Sequence, residues 1–198
     1  MKQLLVIFLA IGLTANVFGV IAGSAHDFSG SGWTPDGRIC VACHTPHNSD
    51  TTVPEAPIWN HELTTQTFTM YGTTLAGTST DAQPNGVSRL CLSCHDGVTA
   101  LDSFGGNTGS TIIGAAGDLG TDLSDDHPIS INYIQANGLV DPTTASGITG
   151  GTTIQADMLY SNRVECSSCH DVHNKYNLAS LLKKSNTGSA LCLTCHAK

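Results

Sequence analysis

Four times in this chain, two cysteines three positions apart are followed at once by a histidine. The units are Cys40, Cys43 and His44; Cys91, Cys94 and His95; Cys166, Cys169 and His170; and Cys192, Cys195 and His196. All 8 cysteines fall within them. C-x-x-C-H is the attachment spacing of a c-type haem. Both thiols reach the vinyl groups on one edge of a porphyrin and become thioethers, and the next residue is held beneath the iron as its proximal ligand. Structural zinc sites also use C-x-x-C pairs but do not require a histidine after each one. A disulfide framework needs neither the spacing nor the histidine. The sequence therefore predicts four covalently attached haem c groups, with His44, His95, His170 and His196 as proximal iron ligands.

Of the 9 histidines, 4 are used in this way, leaving His26, His47, His61, His127 and His173. Four six-coordinate irons need four distal ligands. The chain has 3 methionines, and Met1 leaves with an export signal, so Met70 and Met158 cannot serve every site. Bis-histidine ligation is the natural reading, with these five histidines as distal candidates. His47 lies three residues beyond His44, and the chain between them spans at most about 10–11 Å. That is too short to pass around the rim of a porphyrin, so His47 serves a different haem or none. The same holds for His173 and His170.

The elements that must position these groups are sparse. Met1-Lys2 followed by an apolar run from Leu4 to about Ala22, then small residues, reads as a secretory signal over residues 1–25, cleaved after Ala22 or Ala25. The remaining residues 26–198 form a single tetrahaem domain. They are rich in Gly, Thr, Ser and Asn, with roughly 43 residues for each haem, too few to enclose each porphyrin in a conventional apolar core. The fold class expected is mostly irregular coil, haem-cored, with short helices at the attachment motifs and few short strands. Ile129, Ile131 and Tyr133 alternate as a strand would. A helical turn is expected at 156–162, and 177–184 reads equally as helix or extended. Trp59 is placed to help orient His61. Lys183 and Lys184 read as a solvated surface patch.

The chain also repeats internally. The first and third motifs, R-I-C-V-A-C-H-T-P-H-N and V-E-C-S-S-C-H-D-V-H-N, both carry a second histidine and then asparagine. The second and fourth, S-R-L-C-L-S-C-H and S-A-L-C-L-T-C-H, both have a serine three residues before the first cysteine, a candidate helix N-cap. The order A-B-A-B implies two two-haem units, about 26–125 and 126–198. By this pattern His26 is expected on the haem of Cys40 and Cys43, and His127 on the haem of Cys166 and Cys169.

The net charge of −8 becomes −9 once Lys2 is removed, which argues against nucleic acid or anionic membrane as a partner. No membrane span remains after signal cleavage. The four C-x-x-C-H units, the C-H-T-P-H-N and C-H-D-V-H-N pairs, and the W-N-H-E and D-H-P-I-S segments resemble multihaem cytochromes of the doubled C-x-x-C-H kind. Within these, the whole mature chain resembles extracellular tetrahaem cytochromes of metal-reducing bacteria that polymerise into conductive filaments, of the outer-membrane cytochrome E type. The resemblance implies coil wrapped around a continuous haem chain, bis-histidine irons, and a second histidine of an N-terminal C-H-x-x-H unit that reaches a haem of the neighbouring subunit. The matching residue here is His47. Pro46 biases Thr45 away from helix and so helps aim it outward.

Electron transfer without substrate chemistry is the function expected. The partners are other cytochromes or extracellular electron acceptors, in a head-to-tail homopolymer at the cell surface or outside the cell. The alternatives are a monomeric periplasmic shuttle and a multihaem oxidoreductase with an open iron. The intact mass of the exported protein should exceed the apoprotein by four haem groups. Three or fewer, with every cysteine accounted for, would refute the tetrahaem reading.

Overall fold

Small and polar residues fill most of the chain, and they favour turns over long periodic elements. The computed structural model describes residues 20–52, 56, 58–72, 80–136 and 138–197. Most of the export segment, together with Pro54 and Pro57, lies outside them. Among the described residues no helix is long and apolar enough to cross a membrane.

The longest element is helix α1, Gly86–His95. It buries Ser88, Leu90, Leu92 and Ser93. Cys91, Cys94 and His95 stand at i, i+3 and i+4, which places both sulfurs and the imidazole on one side of the helix. Single helical turns follow: α2, Ile154–Asp157; α3, Cys166–Cys169; and α4, Cys192–Cys195. Thr153 caps α2 by accepting from the Ala156 N–H at 3.2 Å. In α3 and α4 the proximal histidine is the C-terminal cap, with extended backbone, so His170 and His196 leave the turn that carries their cysteines. The first motif has no assigned helix. Bonds from the Cys43 N–H (3.2 Å) and the His44 N–H (2.9 Å) to the Cys40 carbonyl close one turn there. Short helices thus attend three of the four motifs.

The only sheet among the described residues is a pair of two-residue strands, β1 (Ile131–Asn132) and β2 (Arg163–Val164). They run antiparallel, with Ile131 opposite Val164 and Asn132 opposite Arg163. Ile131 and Tyr133 are buried and Ile129 is half-buried, but Ser130 between them is completely buried too, so the alternation holds only over residues 131–133. The helical turn anticipated at 156–162 sits earlier, at 154–157, where Thr153 supplies the cap. Residues 177–184 hold only a short 3-10 turn, Ala179–Leu181.

Three other expectations need correction. Ser88 is not the cap of α1. Asn85 takes that position, while Ser88 lies inside the helix, fully buried, and bonds across to Glu165. Ser189 is not the cap of α4 either, because Leu191 occupies that position and Ser189 belongs to a separate 3-10 turn. Lys183 is not a solvated residue. It is 9% exposed, and its ammonium donates to the Asp157 carbonyl (3.1 Å) and the Tyr160 hydroxyl (3.0 Å).

Apolar side chains gather in three small clusters. One contains Tyr133, Ile154, Met158, Leu159 and Leu191, with Cys169 and Cys195 packed against it. A second contains Ala56, Trp59 and Leu90, with Cys43 against it. The third is Phe68, Leu92 and Leu123. Ile154 is completely buried in the first cluster. Ile154→Ala should therefore destabilise the protein by about 2–5 kcal/mol in chemical denaturation. The same change at the exposed Ile112 should stay within about 0.5 kcal/mol.

Candidate functional site

The first and third motifs are built alike. The Thr45 N–H donates to the Ile58 carbonyl (2.9 Å) and the Asn60 N–H to the Cys43 carbonyl (2.9 Å). At the third motif the Asp171 N–H donates to the Leu181 carbonyl (2.7 Å) and the Lys183 N–H to the Cys169 carbonyl (2.8 Å). Trp59 thus pairs with His44 as Leu182 pairs with His170. Ile58 and Leu181 each hold φ at 55°, a left-handed conformation that such side chains adopt only where their surroundings impose it. The second histidines are tethered in the same way: the His47 N–H to Thr45 Oγ1 (3.4 Å) and the His173 N–H to Asp171 Oδ1 (3.0 Å).

Three proximal histidines face a distal candidate across a gap. The ring centroids of His95 and His26 are 6.0 Å apart, those of His44 and His173 are 6.3 Å apart and nearly parallel at 13°, and those of His196 and His127 are 6.5 Å apart. Two imidazoles on one metal ion, each nitrogen about 2.0 Å from it, have centroids about 6.3 Å apart. All three separations fit one iron between the rings. The pairing differs from the expected one. His26 lies opposite His95 rather than His44, and His127 opposite His196 rather than His170. Each thus meets the B motif of its own half, while the A motif of the first half meets His173 from the second.

Hydrogen bonding prepares several of these rings. His95 Nδ1 lies 2.6 Å from the Gly117 carbonyl, His170 Nδ1 lies 2.8 Å from the Ser180 carbonyl, and His127 Nδ1 lies 3.0 Å from the Pro128 carbonyl. A carbonyl accepts only from N–H, so the proton sits on Nδ1 and Nε2 keeps its lone pair for a metal. Burial, followed by the nearby His95, His170 and His173, pushes His26 down to about 4, which keeps it neutral as a ligand must be.

His61 is different. It is 3% exposed, and both its nitrogens face backbone carbonyls, Glu62 from Nδ1 (2.8 Å) and Ala100 from Nε2 (3.1 Å). Its Nε2 also lies 3.5 Å from Cys94 Sγ. Trp59 lies edge-on between the rings of His61 and His44, with centroids at 6.3 and 6.5 Å. His47 and His170 are both exposed, and among the described residues neither faces a second imidazole at the paired separation.

Among the described residues no two cysteines form a disulfide. Burial pushes the Cys43 and Cys195 thiols up to about 11 and raises Cys94 further. Among the described residues no three His, Cys, Asp or Glu side chains converge as a metal site. Thiols in i, i+3 pairs beside facing imidazoles fit haem c. Sequence reasoning missed Glu165, which is buried beside Cys166 and bonded to Ser88 and Ser130. A carboxylate next to the motif was visible in the sequence, but its partners 77 and 35 residues away were not.

A family model described as the doubled CXXCH motif matches residues 160–198, which hold the third and fourth units. No curated protein matches the chain. The doubled motif marks a chain that carries covalently attached haem c, a cytochrome-like electron-transfer protein. The facing rings make a specific prediction. His127→Ala should leave the haem of Cys192 and Cys195 without a sixth ligand, seen as a high-spin component in the absorption spectrum, whereas His61→Ala should keep every haem low-spin. The reverse result would exchange their roles.

Proposed function

We propose that this chain is an exported tetrahaem electron carrier with bis-histidine irons, no substrate chemistry of its own, and a polymeric extracellular form. The observation that carries the reading is the facing of three proximal histidines by three others at 6.0–6.5 Å. Where both axial positions are filled by imidazole, no face is left for a substrate. Haem c, when bound, supplies reversible one-electron ferric/ferrous chemistry. The chain's own part is to anchor, orient and shield. The cysteines fix the porphyrin edge. Backbone carbonyls hold Nδ1 protons so that Nε2 points to the metal. The paired rings would hold the metal between two imidazoles.

The motif histidine left unpaired, His170 of the third unit, supports the polymer. It has its Nδ1 anchored and no facing ring among the described residues. His47 is exposed and without a facing ring. Its alternative within the chain, the haem of Cys91 and Cys94, already has His26 opposite His95. Of the two histidines left without an iron, His61 has both nitrogens against backbone carbonyls, so the exposed His47 is the one that complements the iron of His170 between copies. A contact of unlike surfaces is heterologous and grows head to tail unless its rotation closes. The mature chain would meet other cytochromes or extracellular acceptors along such a filament.

The exposed His170 also favours a second reading, an oxidoreductase that keeps this iron open. His47→Ala separates the two. Under the filament reading, the exported, haem-loaded variant loses filaments in electron micrographs and gains one high-spin haem that binds carbon monoxide. If the wild type already binds carbon monoxide at one haem and sediments as a monomer, the open-site reading replaces it. Full-length filaments of the variant with all haems low-spin would exclude the crossing ligand.

A further inference from the structure

Glu165 is 3% exposed, and two serine hydroxyls hydrogen-bond to its carboxylate. Ser88 Oγ and Ser130 Oγ (3.1 Å) both meet its Oε2, and both serines are completely buried. The polarity of these bonds is fixed from outside. Ser88 Oγ already accepts from the Cys166 N–H (3.0 Å), and Ser130 Oγ from the Asn85 N–H (3.1 Å), so each hydroxyl turns its own proton to the carboxylate. The Ser168 N–H closes α3 on the Glu165 main-chain carbonyl at 2.8 Å, and Arg163 Nε lies 3.6 Å from Oε1. Burial pushes the Glu165 carboxyl up, while the two serine hydroxyls and the Arg163 guanidinium draw it back towards the anion.

Its place gives that charge a consequence. Ser88 belongs to α1 and Glu165 caps α3. The Cys166 N–H donates to Ser88 Oγ one turn before Cys91, which brings the two attachment motifs together beside Glu165. These cysteines anchor haems of the two different halves, so one water-excluded negative charge lies against both anchors. The other charged groups facing it are Arg163 and, beyond Arg163, Asp81, which pairs with the Arg163 guanidinium. The two carboxylates outweigh the one cation by a single negative charge. An iron gains one positive charge on oxidation, and a buried anion favours that state with little screening.

We propose that Glu165 is an electrostatic positioning residue that lowers the reduction potentials of the two haems anchored at Cys91 and Cys166, the pair spanning the junction between the halves. The proposal rests on the haem loading inferred above, which intact mass establishes first. The test is a redox titration of the exported holoprotein, with haem methyl resonances in paramagnetic NMR assigning each midpoint. Glu165→Gln keeps the shape and removes the charge. It should raise the midpoints of these two haems and move the other two less. Arg163→Gln removes the nearest cation and should lower the same two, opposite shifts that loss of packing alone does not produce. Midpoints unmoved by Glu165→Gln, a uniform rise of all four, or an Arg163→Gln variant that leaves the pair unmoved or raises it would each overturn the proposal.

Discussion

The structure depends on the gap between facing imidazoles. A ring that offers Nε2 must be held by Nδ1, and its partner must stop about two metal–nitrogen bonds away. The backbone on each side of these ring pairs, whose centroids stand 6.0–6.5 Å apart, is tied down by carbonyl bonds, short bridges and single helical turns. The scarcity of regular structure follows. Most of the chain works as a set of braces, and its apolar residues form three clusters, two of them against haem-anchoring cysteines, instead of one continuous core.

The two halves share a design and differ in how it is completed. Both A motifs use the same bridge, with a left-handed residue before its middle position and a tethered second histidine behind. Both B motifs face a histidine from upstream in their own half. The symmetry breaks at the second histidines. His173 meets His44, while its counterpart His47 and His44's counterpart His170 both point outward. The seam between α1 and α3 is polar where packing would ordinarily be apolar: Ser88, Ser130 and Glu165 are among its most buried side chains. Burying a carboxylate is costly, and here two serine hydroxyls on Oε2 and the Arg163 guanidinium beside Oε1 offset part of that cost.

Attachment chemistry was legible in the sequence because it is local. Cys-x-x-Cys-His encodes its own geometry through the rise of one helical turn, and the count of nine histidines against four motifs pointed to imidazole on both sides of the iron. The mostly irregular fold was legible from composition, and the A-B-A-B repeat from the residues flanking each motif. What only the tertiary structure decided was which histidine meets which. The order of the repeat pointed His26 and His127 to the A motifs, yet both face B motifs, because ring position is set by carbonyls such as Gly117 and Pro128 and by backbone bridges that no spacing reveals. The matched φ of Ile58 and Leu181 is invisible in I-W-N and L-L-K, since a left-handed backbone there is imposed by neighbours. Ser88 carried a cap-like sequence signature and became a buried donor to Glu165, and Lys183 looked like surface and lies buried against Tyr160. In each case the physical reason is the same: local sequence sets the chemistry a residue offers, and long-range contacts set the partner that receives it.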